Sequence, residues 1–155
     1  MQPVPGRRRG NSFLNMQMNS NRLGGFLDRA FDTPFGWRTH DCLIWPANWV
    51  ALVSGRDPAA PWRNAYHDAR SALRLVSDAG GIEALVRTAM AREGFEMTDT
   101  PTVGDVGLVH IISGRGVAEL AGGICTAPGH WCNLTANGLL EGRARHALAF
   151  RIEAA

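Results

Sequence analysis

The chain of 155 residues contains no lysine, and all sixteen of its basic residues are arginine, a bias from which we draw no mechanism. Its three cysteines, Cys42, Cys125 and Cys132, are odd in number and unevenly spaced, which does not fit a disulfide framework. No run of eighteen apolar residues occurs, so no membrane-spanning helix is expected. Residues 7–9 are three arginines, but no apolar stretch follows them as it would in a signal peptide. Synthesis in the cytoplasm is therefore expected.

The composition is typical of one folded domain. Hydrophobic residues make up 45% of the chain and charged residues 19%, a balance that argues against general disorder. The length is sufficient for a single domain with a core of its own.

The positive charge is concentrated at the N-terminus. Residues 1–19 contain Arg7, Arg8 and Arg9 and no acid, whereas the remaining 136 residues carry thirteen arginines and fourteen acids. Because residues 1–19 show no helical or strand period, we predict an extended basic arm that a partner chain orders, followed by a domain over 20–155. Three arginines before a slightly acidic domain favour protein docking over nucleic-acid binding.

The periodicity predicts helices followed by strands. Helices are expected over residues 21–32, from Cys42 to Gly55, over 66–78 and over 82–93, with Pro34 ending the first. Short β-branched or alternating segments predict strands near 105–112, 117–125, 130–135 and 147–152. This order predicts an α+β fold with helices packed on one side of a small antiparallel sheet.

The pair Asp41-Cys42 stands at the predicted start of the second helix. If Asp41 caps that helix, Cys42 lies in its first turn, where the helix dipole favours a reactive thiolate. A cysteine on an apolar stripe is also a common buried residue, and the spacing alone favours that interpretation. Pro46 predicts a kink or a late start of the helix.

A resemblance to a known family begins at these residues. Residues 37–42 (Trp-Arg-Thr-His-Asp-Cys), Trp49, residues 55–58 (Gly-Arg-Asp-Pro) and Tyr66 resemble a family of small phage and prophage proteins encoded among tail genes. That family is distantly similar to the NlpC-type, papain-like peptidases that cut bacterial cell walls. The similarity spans roughly residues 21–152, and it implies that Cys42 occupies the position of the nucleophile.

The resemblance also extends to the sheet, with one departure. In the peptidases a Gly-Asp precedes a strand, matched by residues 104–106 (Gly-Asp-Val), and the next strand carries His-Val-Gly-Ile. Aligning Gly123-Ile124 with the end of that motif puts Ala121 in the position of the histidine base. The usual third, polar member falls near Asn133. Without a base, Cys42 is a poor nucleophile for amides.

Three histidines are candidates for the missing base. His130 is the first candidate, with Asn133 or Asp41 orienting it, and His40 and His110 are weaker ones. For each there is also a structural interpretation. His40 and His130 lie beside turn residues, and on this interpretation their side chains face solvent. His110 alternates with apolar residues, as a core histidine does.

Two further patterns carry weaker predictions. Cys125, His130 and Cys132 resemble part of a metal site, but structural zinc uses four ligands in close pairs, so no metal and no cofactor is expected. Trp62 lies in a proline-containing loop, where it either anchors an interface or covers the core.

The resemblance implies a structural protein of the tail tip or baseplate of a phage or phage-like particle, with a degenerate papain-like site. Its expected partners are other tail or baseplate proteins, contacted through arm 1–19, and its expected location is the virion after synthesis in the bacterial host cytoplasm. The alternative is an active cysteine peptidase or amidase that acts on peptidoglycan during genome entry. An accessory factor that binds nucleic acid or metal is the third hypothesis.

Overall fold

The computed structural model describes the backbone of residues 9–155 and the side chains of residues 20–155. In this range the helices are α1 (Arg9–Asp32), α2 (Ile44–Ser54), α3 (Ala69–Asp78) and α4 (Ile82–Arg92), with a 3₁₀ turn at Ala60–Trp62. The strands are β1 (Val106–Ile112), β2 (Ala118–Ala127), β3 (His130–Thr135), β4 (Gly138–Arg143) and β5 (His146–Phe150). The predicted α+β order, with helices before strands, is confirmed.

Helix α1 is longer than predicted. It begins at Arg9, so residues 9–19 are helical and not extended, while residues 1–8 of the predicted arm lie outside the described residues. This stretch contains leucine, glutamine and methionine, good helix formers that let a helix nucleated further along the chain propagate towards the N-terminus. The helix ends at Asp32, two residues before Pro34, as predicted. The arm's contact with a partner stays a prediction.

The five strands form one antiparallel sheet in the order β4-β3-β2-β1-β5. Strand β4 is absent from the sequence prediction because Gly-Leu-Leu-Glu-Gly-Arg has two glycines and no β-branched residue. It forms because the tight turn after β3 returns the chain antiparallel, pairing Asn133 with Leu140.

The sheet is strongly curled. Strands β4 and β5 lie at opposite edges, yet only Ala144 and Arg145 connect them. The edges of a flat five-stranded sheet are about 19 Å apart, whereas this connection spans about 11 Å at most. The connection also bonds across the sheet: Ala144 N–H donates to the Gly129 carbonyl (3.2 Å), and His110 N–H donates to the Arg145 carbonyl (2.9 Å). The two edges of the sheet therefore approach each other at this end.

The main core lies between the helices and the outer face of the curled sheet. Helix α2 is at its centre, with Trp45 and Trp49 fully buried and both rings within 6 Å of the Phe26 ring of α1. Trp49 Nε1 donates to the Gly104 carbonyl at 2.8 Å, which fixes α2 to the loop before β1. A second cluster inside the curl contains Val109, Cys125, Trp131 and Ala149.

Candidate functional site

The segment before α2 is a closed loop over residues 36–40. Its ends are joined by two backbone hydrogen bonds, from Gly36 N–H to the His40 carbonyl (3.0 Å) and from His40 N–H to the Gly36 carbonyl (2.8 Å). Arg38 at the tip has a φ of 63°, a left-handed conformation that is uncommon for a residue with a β-carbon. The Asp41 carboxylate accepts the Arg38 N–H at 2.8 Å and so stabilises this conformation.

Asp41 is the central hydrogen-bond acceptor of the site. Its side chain is 2% exposed, and one oxygen accepts the N–H groups of Leu43 (3.0 Å) and Ile44 (2.9 Å). The other oxygen accepts the Arg38 N–H and the hydroxyl of Tyr66. Asp41 thus binds N–H groups at the start of α2, although the N-cap residue of that helix is Leu43 and not Asp41 as predicted. Since all its acceptor capacity is used by these four donors, Asp41 is not available to orient a histidine.

Cys42 lies just outside the helix that it was predicted to open. Helix α2 begins at Ile44, so the late start predicted from Pro46 is confirmed, and the proline lies in the first turn, where its missing N–H is tolerated. The N–H groups of Leu43 and Ile44 at this helix end donate to the Asp41 carboxylate. Because that carboxylate is negatively charged, the helix end favours the Cys42 thiolate less than the sequence predicted.

The environment of the Cys42 thiol disfavours its anion. Burial raises its pKa from the ordinary value of 9.0 to about 11, and the negative charges of Asp41 and Glu119 add to the increase, outweighing nearby backbone hydrogen bonds that lower it. At neutral pH the sulfur is a protonated thiol, which is not the nucleophilic form.

Strand β2 packs directly against the backbone at Cys42. A β-carbon added to Gly122 would lie 2.4 Å from the Cys42 carbonyl oxygen, so only glycine fits at this position. Ala121, the residue aligned with the histidine base, precedes Gly122 and lines the same cavity as Cys42. Alanine has no side-chain proton acceptor, so the residue at the aligned position cannot act as the base.

Asn133 also lies beside this part of β2. Its side-chain amide is 4% exposed and donates to the Gly122 carbonyl at 2.7 Å. This bond connects β3 to the glycine that packs on Cys42. The Asn133 amide nitrogen therefore stabilises the pairing of β2 and β3, and its role as the third, polar member of a catalytic site stays a prediction.

His130 lies too far along the sheet to act on Cys42. It pairs with Ala127, which is five residues along β2 from Gly122. At about 3.3 Å per residue this is a separation of about 16 Å. The His130 Nδ1 lies 3.4 Å from the carbonyl oxygen of Pro128 in its own turn. The predicted Cys42–His130 pair is not formed.

The two other histidines differ from the structural interpretations given to them. His40 is 8% exposed and does not face solvent, and its Nδ1 has no hydrogen-bond partner among the described residues. His110 is exposed on β1 opposite Leu120, so it is not a core histidine.

A cavity of about 700 Å³ opens beside Cys42. We call it the Cys42 cavity. It extends from the start of α2, between α3, α4 and the sheet, to Phe150 of β5, and its walls are mostly aliphatic. Of its charged lining residues, Asp41 is fully hydrogen-bonded and Glu119 is exposed.

The remaining residues of the resemblance have structural roles. Tyr66, whose pKa is raised above its ordinary value by burial and by the hydrogen bond to Asp41, fixes the loop before α2. Asp105 of the Gly-Asp pair accepts the N–H groups of Thr102 (2.8 Å) and Ile152 (3.0 Å). It therefore connects the start of β1 to the segment that follows β5. No sequence signal indicated that Tyr66 and Asp41 would meet.

The loop after α2 is fixed by charge pairs. Arg63 bonds both Asp57 oxygens at 2.7 and 2.9 Å, and this hydrogen-bonded pair lowers the pKa of Asp57. The guanidinium of Arg92 lies 5.2 Å from the centre of the Trp62 ring. Trp62 packs half-buried against a small cluster around Tyr66, so it covers the core at this point.

The described residues contain no group of three or more potential metal ligands. Cys125 and Cys132 lie on opposite faces of the sheet, since Cys125 packs inside the curl and Cys132 in the main core. None of the described helices has the length and hydrophobicity required to cross a membrane. Arg7 and Arg8, on which the nucleic-acid hypothesis depends, lie outside the described residues.

Comparison with known proteins identifies a family for the chain. No curated protein and no solved structure matches it. One family, DUF6950, described as a domain of unknown function, matches residues 16–152, which include most of α1 and every later helix and strand. The chain therefore belongs to the DUF6950 family.

Proposed function

We propose that the chain is a structural component of the tail tip or baseplate of a phage or phage-like particle, with a papain-like domain whose catalytic site is degenerate. The environment of Cys42 is the observation that supports a degenerate catalytic site. Its thiol has a pKa of about 11 and is influenced by two acidic side chains, Asp41 and Glu119. A cysteine nucleophile requires the opposite, a base or a positive charge that favours the thiolate.

The papain-like assignment is supported by the way the motif residues meet. Cys42 precedes a buried helix that packs on the sheet, Trp49 of that helix bonds Gly104, and Gly122 contacts the Cys42 backbone. The phage context is supported by the resemblance of residues 37–42 and of Tyr66 to proteins encoded among tail genes.

An active cysteine peptidase remains the second candidate because of one observation. Cys42 is partly exposed and lines an open cavity, as a nucleophile must if it is to reach a substrate. That function needs a base that neither Ala121 nor His130 supplies.

Particles assembled with Cys42→Ala separate the two candidates. In the source phage or prophage, a deletion of this gene complemented by Cys42→Ala is expected to give the same number of particles and the same infectivity as wild type. The physical reason is that alanine retains the packing at residue 42 and removes only the thiol. Asp41→Ala, which removes the acceptor of four hydrogen bonds, is expected to give few or no particles.

The outcomes of this complementation are distinct. Normal particle numbers with infectivity lost only in Cys42→Ala, together with Cys42-dependent release of peptides from purified peptidoglycan, would establish the peptidase. Normal particles and infectivity without any copy of the gene would refute the structural role. Cys125→Ala is the matched control, since it removes a thiol inside the curl of the sheet.

A further inference from the structure

Helix α3 has an apolar face that the rest of the described chain buries only in part. Ala72, Leu73, Leu75 and Val76 all line the Cys42 cavity, yet no residue of α3 is buried, and Leu73 is 70% exposed. A helix of ten residues depends on tertiary packing for its stability. Ala72 and Leu75 pack against the cluster around Tyr66, whereas Leu73 and the half-buried Val76 leave part of this side open to the cavity.

The Cys42 cavity has the size of a ligand site. Protein interiors are packed to the density of organic crystals and contain few voids larger than a water molecule. A volume of about 700 Å³ lies well above that and falls among pockets for small molecules. Its wall includes Leu73 and Val76 of α3 and Ile82 and Val86 of α4, so the apolar surface extends across both helices and suits an alkyl chain.

The lining determines the chemical class of the ligand. No arginine lines the cavity, so nothing in its wall neutralises a carboxylate or a phosphate. Half-buried aliphatic side chains such as Val76, Ile82 and Val86 line it. Its polar lining groups include the exposed carboxylate of Glu119, which accepts hydrogen bonds, and the thiol of Cys42, which can donate one.

We infer that the Cys42 cavity binds a neutral single-chain lipid, with the alkyl chain along α3 and α4 and a hydroxyl head group that donates to Glu119. This binding site is independent of the proposed structural role, since it needs no partner protein. Binding completes the packing of α3 and covers the thiol of Cys42.

The first test is a titration with monododecanoylglycerol, kept below the concentration at which it aggregates, and followed by the fluorescence of Trp37 and Trp62 in the cavity wall. Saturable binding of one lipid per chain is expected, with slower amide exchange over residues 69–78. Dodecanoate, which has the same chain and an anionic head, is expected to bind more weakly because it meets Glu119 and no arginine. Absence of saturable binding, or tighter binding of dodecanoate, would overturn the inference.

A matched pair of variants on α4 tests the location. Ala89 is buried and lines the cavity, whereas Ala91 on the same helix is exposed. Ala89→Phe fills the cavity and is expected to weaken binding by about tenfold or more, the effect of a misfit in an apolar pocket. Ala91→Phe is expected to bind as wild type. Equal binding by the two folded variants would place the lipid elsewhere and contradict the inference.

A measurement on the wild type alone covers the case in which Ala89→Phe does not fold. Trypsin cleavage after Arg38 and Arg56 releases Cys42 in the peptide 39–56, separate from Cys125 and Cys132 in the peptide 116–143. Saturating monododecanoylglycerol is expected to slow alkylation of Cys42 several-fold. An unchanged alkylation rate at a lipid concentration that saturates the fluorescence would show that the lipid does not occupy this cavity.

Discussion

Replacing Asp41 by alanine is expected to lower the free energy of unfolding by about 4 kcal/mol or more, since four donors lose their acceptor and each buried donor left without one costs about 1–3 kcal/mol. The carboxylate is 2% exposed and accepts hydrogen bonds from three backbone N–H groups and from Tyr66. Its loss also releases the left-handed conformation of Arg38. A decrease of about 10 °C or more in the melting temperature corresponds to this change in a chain of this length.

Two further variants sharpen this measurement. Tyr66→Phe removes one of the four donors together with its need for an acceptor, so a smaller loss of about 1–2 kcal/mol is expected. Asp99 is exposed, and Asp99→Ala should leave the melting temperature within about 2 °C of wild type. If Asp41→Ala were as stable as Asp99→Ala, Asp41 would not be the structural centre of the site.

Gly122→Ala is the second substitution with a large expected effect. The new β-carbon would lie 2.4 Å from the carbonyl oxygen of Cys42, a backbone atom that cannot move aside as a flexible side chain does. Either β2 or the backbone just before α2 must shift. Overpacking of this kind lowers the free energy of unfolding by about 1–3 kcal/mol. The expected result is a lower unfolding free energy and an altered environment of the thiol.

Gly142→Ala is the matched control for this glycine. Gly142 also lies in a strand, β4, but no atom is within 4 Å of the position that its β-carbon would take. Chemical denaturation of both variants is expected to show a loss for Gly122→Ala and a change within about 0.5 kcal/mol for Gly142→Ala. Equal stability of the two variants would contradict the close packing of β2 against Cys42.

The parts of the fold that depend on local chemistry were predictable from the sequence. Pro46 indicated the late start of α2, and Gly55, with a φ of 72°, ends that helix as predicted. The alternation of apolar residues placed β1 and β3 within a residue of their observed bounds. These signals act within a few residues of the chain, so the sequence around them is sufficient.

Elements that depend on context were missed. The first turns of α1 have no apolar period of their own and form as a continuation of the later turns. Strand β4 lacks β-branched residues and exists because β3 provides a hydrogen-bonding edge. In both cases an adjacent element determines the structure.

In the candidate site, too, local contacts were predictable from the sequence and long-range contacts were not. The capping by Asp41 was predicted because its recipients, Leu43 and Ile44, are two and three residues away. Its bond to Tyr66 spans 25 residues and has no local signal. The position of His130 depends on the register of β3 against β2, which the sequence pattern does not specify, and this register separates it from Cys42.

The measurement that tests the central claim most directly is the pH dependence of Cys42 alkylation by iodoacetamide, followed in the tryptic peptide 39–56. If the half-buried thiol lies near two acids and has no base, the alkylation rate should increase about tenfold per pH unit through pH 10, with a midpoint near 11. The unfolded chain, measured in denaturant, should have a midpoint near the ordinary value of 9.0. A midpoint in the folded protein at or below about 8 would instead indicate a stabilised thiolate, and hence an active cysteine nucleophile.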